Sequence, residues 1–114
     1  MLTYAVILFA IAALGGGVLA LHVLRDDLAP WGLSIVHALL GAAGLVLLLV
    51  AVTNGLGSTP ATWALVLFAI AAVGGFVLAS FHFRGKLPHK AVVVVHAAVA
   101  VVAFGLLLSA LFAV

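Results

Sequence analysis

Four uninterrupted apolar runs, at residues 3–24, 31–53, 60–83 and 90–114, decide what this chain can fold into. Each exceeds the roughly 20 residues that carry a helix across a hydrocarbon layer about 30 Å thick. Only four basic and two acidic side chains occur in 114 residues, and 69% of the chain is hydrophobic. So few charges cannot cover a water-facing surface, and lipid is the solvent that suits the rest. The runs lack the short alternating pattern of barrel strands. An all-α polytopic fold, a bundle of four transmembrane helices, is therefore expected. The first run has no basic residue before it and is longer than a signal-peptide core, so it is expected to be retained.

All four cations, Arg25, Arg84, Lys86 and Lys90, fall between runs 1 and 2 or between runs 3 and 4. The connection Asn54-Gly55-Leu56-Gly57-Ser58-Thr59-Pro60 and both tails carry no charged side chain. Short cytoplasmic loops hold the Lys/Arg excess. The loops at 25–30 and 84–90 are therefore expected in the cytoplasm of a bacterial inner membrane, with both termini opposite. A pI near 9.7 resting on so few residues implies anionic lipid headgroups nearby and no nucleic-acid partner. The absence of Cys excludes disulfides, thiolate metal sites and iron–sulfur clusters.

The second half repeats the first. Sliding 3–52 onto 62–111, an offset of 59, makes 22 of 50 positions identical without a gap. Leucine and alanine matches count for little in so apolar a chain. Gly15-Gly16 on Gly74-Gly75, Arg25 on Arg84, and Val36-His37-Ala38 on Val95-His96-Ala97 are more informative. Two hairpins, 1–55 and 56–114, are expected to form one membrane domain with a pseudo-twofold axis along the membrane normal. In that bundle runs 1 and 3 are diagonal, as are runs 2 and 4. His37 and His96 then sit at equal depth, facing each other if both point inward.

Five His among so few ionisable groups need an explanation, because such side chains inside a membrane are costly and tend to mark function. His37 and His96 lie about two turns inside their runs, roughly 10 Å deep. Gly41 and Gly44 follow His37 on one helix face, and Ala100 and Ala103 follow His96 at the same offsets. A His beside small residues describes either close helix packing or a slot for a flat ligand. The small residues Ala12, Gly16 and Ala20, with Ala71, Gly75 and Ala79, are read as packing strips. Two opposed neutral imidazoles suit axial ligation of one heme b iron. Leu33, Leu40, Val92, Val99 and Phe104 would wall it, and Arg25 and Arg84 would meet its propionates. His22 and His82 lie near the basic loops, one position out of register in the repeat. They are secondary candidates, for propionates, for a quinone-like headgroup or for a less favoured second heme. His89 lies in the second loop.

His37, Gly41, Gly44 and His96, Ala100, Ala103 resemble the ligand-and-slot pattern of membrane four-helix heme-b proteins, the cytochrome b561 type and the core of respiratory cytochromes b. The resemblance implies bis-histidine heme b and electron transfer. The chain departs from those families in gathering all five His toward one membrane face, where they place His pairs at both. Small multidrug exporters share its length but need a membrane Glu, and this chain has none. Fluoride channels share only the Gly-Gly…Arg pattern of the first run.

Two other functions fit the residues. One is a cofactor-free structural subunit packing in a larger membrane complex or as a homo-oligomer. The other is a Cu or Zn site built from His22, His37, His82 and His96. No nucleophile–base pair, P-loop or dinucleotide fingerprint occurs, so a cofactor-binding protein with a redox partner is expected over a self-contained enzyme.

Overall fold

The computed structural model describes residues 1–112; the last two positions of the fourth expected span lie outside the described residues. The helices are α1 (Leu2–Leu24), α2 (Trp31–Ala51), α3 (Thr59–Phe83) and α4 (Lys90–Phe112). Each is long and apolar enough to cross a membrane. At 1.5 Å per residue, 23 residues reach about 34 Å. A five-residue π-type turn, Val52–Leu56, continues α2 until Gly55, whose φ of 76° ends the helical course.

The helix ends are explained by local chemistry. At the α1 terminus Asp27 N–H donates to the His22 carbonyl at 2.8 Å and Asp26 N–H to that of Val23 at 2.9 Å. Asp26 takes the left-handed conformation that closes this Schellman arrangement, with φ of 59°. The α3 terminus closes with the same bonds, Lys86 to Phe81 and Gly85 to His82, and Gly85 takes φ of 66°. Before α3, the Ser58 hydroxyl accepts from Ala61 N–H, and Pro60 stands where no helical donor is needed.

The closest packing is within hairpins, α1 on α2 and α3 on α4. The hairpins meet through α1 with α4 and α2 with α3, which leaves α1/α3 and α2/α4 as the diagonals. The bundle has a loop end, with the two basic turns, and a linker end, with the first residue and the 52–58 connection.

The core is not spread evenly along this length. Its buried cluster is Ala5, Phe9, Leu48, Ala64, Phe68, Ala103 and Leu107, all in the linker half. Phe9 and Phe68 reach across the α1/α3 diagonal and stack, with ring centroids 3.8 Å apart and planes 1° from parallel. In the helical segments of the loop half, Val93 is the one buried hydrophobic beyond the mid-bundle Ala12 and Ala71. Large apolar side chains such as Leu14, Leu39, Val73 and Val101 point outward, as a lipid-facing surface requires.

Candidate functional site

His37 is placed by the close approach of α2 to α1. Its Nδ1 donates to the Ala12 carbonyl at 2.8 Å. A carbonyl can only accept, so Nδ1 carries a proton, and a neutral imidazole in that tautomer has its lone pair on Nε2. The ring lies over the diglycine of α1. A Cβ built on Gly16 would stand 2.8 Å from His37 Cε1, and one on Gly15 would stand 3.9 Å from His37 Cβ. Gly16 is thus the residue that lets the imidazole enter the helix–helix seam.

His96 repeats this placement on α3. A Cβ on Gly74 would meet its Nδ1 at 3.4 Å, and one on Gly75 would meet Cε1 at 3.3 Å. Its Nδ1 is buried and faces the Ala71 carbonyl, the counterpart of Ala12. Full hydrogen-bond geometry is not reached there, so His96 is held more loosely than His37. Each imidazole rests on the first helix of its own hairpin, against the glycine pair there.

The small residues divide into two levels. A Cβ on Gly41 would meet nothing within 4 Å, and Ala100 is half-buried. Gly44 and Ala103, expected to line the slot, belong to the packed core a turn deeper. A Cβ on Gly44 would lie 3.1 Å from three atoms of the Phe9 ring. The phenyl ring takes the volume that a glycine leaves. Phe104 likewise packs against that core. Val92 and Val99 flank His96 in a groove of about 410 Å³ between α3 and α4.

At the loop end the remaining histidines part company. His22 donates from Nδ1 to Asp27 Oδ2 at 3.0 Å. His82 crosses to the other hairpin, where its Nδ1 is 3.2 Å from the Ser34 hydroxyl and its ring stacks on Trp31 at 4.0 Å. The one-residue register difference explains this: the turn bonds equate His22 with Phe81, so His82 projects about 100° away around the helix. A four-histidine metal site would need His22, His37, His82 and His96 to converge. Among the described residues no three His, Asp or Glu side chains do so. Arg25 caps α1, whereas Arg84 donates from Nε to the Ser80 carbonyl and lies 4.8 Å above the Phe81 ring. His89 is exposed in the second loop.

The His37 ring is held through Nδ1, and the two carboxylates of the sequence, Asp26 and Asp27, lie in the first turn and not in a helix. The Phe9–Phe68 stack and the Trp31–His82 contact were not anticipated from sequence. The match of Phe9 with Phe68 in the repeat, among residues too small to fill a core, was the available signal for the first. No family model, curated protein or solved structure matches the chain.

Proposed function

We propose that the chain is an integral membrane protein that binds one heme b between His37 and His96 and serves in electron transfer or another heme-linked redox role. The observation that carries this reading is the uneven interior. Large side chains fill the linker half, whereas the loop half holds two imidazoles among Gly and Ala. Ligating imidazoles are commonly oriented through the nitrogen that does not bind metal, and the His37–Ala12 bond supplies that orientation. Heme iron, when bound, supplies one-electron chemistry. The chain's own residues would orient the ligands and exclude water, and Arg25 and Arg84 would offer cations to the propionates.

The hairpins 1–55 and 56–114 arose by duplication, and a pseudo-twofold axis along the membrane normal relates them. Recurrence at an offset of 59 of the buried pairs Ala5/Ala64, Phe9/Phe68, Ala12/Ala71 and Leu48/Leu107 supports this. The basic loops lie in the cytoplasm, in keeping with the positive-inside rule. An absorption spectrum of the purified protein tests the heme. A Soret band, with sharp α and β bands on reduction, is expected. Loss of low-spin ligation in His37→Ala and His96→Ala should follow. A colourless preparation from heme-replete cells ends the reading.

A second reading is favoured by the Gly16–His37 and Gly44–Phe9 contacts, which are complete without a ligand. In it the imidazoles are interhelical pins of a cofactor-free subunit in a larger membrane complex. His37→Ala then lowers the unfolding temperature of a protein that never shows a Soret band.

A further inference from the structure

The first basic turn differs from the second in a way that the heme reading does not use. Arg25-Asp26-Asp27 stands where the other half has Arg84-Gly85-Lys86. Asp26 Oδ1 is 3.1 Å from Lys90 Nζ, and Asp27 Oδ2 takes the His22 Nδ1–H. Asp27 therefore keeps its other carboxylate oxygen free. Among the described residues no acidic side chain pairs with Arg25. Arg25, Asp27 and His22 line one cavity of about 210 Å³ together with Val18 and Leu21. Val18 and Leu21 precede Arg25 by one to two turns on α1, and both face outward. The cavity thus offers a cation and an anion side by side, with an apolar wall running from them toward the middle of the hydrophobic span.

We propose that this cavity binds a phosphoethanolamine headgroup. The Arg25 guanidinium takes the phosphate as a charge-assisted pair, and Asp27 Oδ1 accepts from the primary ammonium. Val18 and Leu21 cover the first carbons of a lipid acyl chain. A choline headgroup keeps the phosphate contact but has no N–H to give Asp27. A glycerol headgroup brings no cation to Asp27 at all. The second turn lacks this selectivity, because Lys86 replaces the acid and Arg84 is engaged with Ser80 and Phe81. The inference shares Arg25 with the heme reading, whereas Asp27, on which its selectivity depends, has no part in that reading.

Binding of headgroup-labelled phosphatidylethanolamine, phosphatidylcholine and phosphatidylglycerol to the full chain in detergent tests it. Phosphatidylethanolamine should bind most tightly. Arg25→Gln should weaken it about fivefold, the effect of one interfacial cation. Asp27→Asn should bring the ethanolamine and choline lipids to equal affinity, and Lys86→Gln should change nothing. Soluble phosphoethanolamine should bind far more weakly than the lipid. Affinity equal to the lipid's would retain the zwitterion and overturn the lipid as its source. A preference for phosphatidylglycerol, equal binding of the ethanolamine and choline lipids by the unmodified protein, or an Arg25→Gln variant that binds normally would overturn the site.

Discussion

Gly16 lies directly against the His37 imidazole: a Cβ at that position would stand 2.8 Å from Cε1. The contact is the reason the ring can sit between α1 and α2 and reach the Ala12 carbonyl. Gly16→Ala should therefore displace the ring and break that bond. A loss of about 1–3 kcal/mol is expected from overpacking. Gly75→Ala, with 3.3 Å available, should cost less. Thermal unfolding of the detergent-solubilised protein ranks the two, and equal effects would contradict the difference in clearance.

The His37–Ala12 hydrogen bond crosses between helices inside an apolar medium. Interhelical bonds of this kind are worth about 0.6 kcal/mol and at most about 1.7 kcal/mol. His37→Ala should lower stability by that order even in heme-free protein, as reversible unfolding in mixed micelles would report. In heme-loaded protein the same variant should also lose low-spin absorption. The two readouts separate a pin from a ligand.

Gly41 and Gly44 should respond oppositely to substitution. Gly44→Ala presses a methyl group against Phe9 at 3.1 Å and should cost about 1–3 kcal/mol. Phe9→Leu in the same chain should remove much of that cost, giving a coupling measurable in a double-mutant cycle. Gly41 has open space, so Gly41→Leu should fold normally. If the imidazole layer receives a heme, Gly41→Leu should instead reduce heme content per folded protein, measured by the Soret-to-protein absorbance ratio.

The loop end is tied across hairpins by the Trp31–His82 stack and the His82–Ser34 bond. Aromatic pairs contribute about 0.5–1.5 kcal/mol beyond area burial. Trp31→Leu should therefore destabilise more than Asp26→Asn, which removes only the exposed Lys90 pair, worth about 1 kcal/mol or less. Raising salt should shrink the Asp26→Asn effect and leave that of Trp31→Leu unchanged. Unfolding curves at low and high salt distinguish them.

Much of the architecture was legible without coordinates. The apolar runs place all four helices to within a few residues, and the turn residues after Arg25 and Arg84 mark the breaks. The matched His37 and His96, each with small residues beside it, also stand out in the sequence. The partner of each imidazole does not. A backbone carbonyl such as that of Ala12 has no sequence signature, and a glycine pair reads equally as packing strip or recess. Gly44 shows the same ambiguity, because only the approach of Phe9 decides whether its missing side chain is a slot or a seat.

Helix number, length and apolar character follow from the sequence alone, because hydropathy and chain length are local properties that the membrane reads residue by residue. The tertiary structure decided that large side chains meet at the linker end, that each imidazole lies on its own hairpin, and that His22 and His82 separate. Those outcomes depend on which helix faces meet and at what distance, and small and large residues must be matched across helices far apart in sequence to set it.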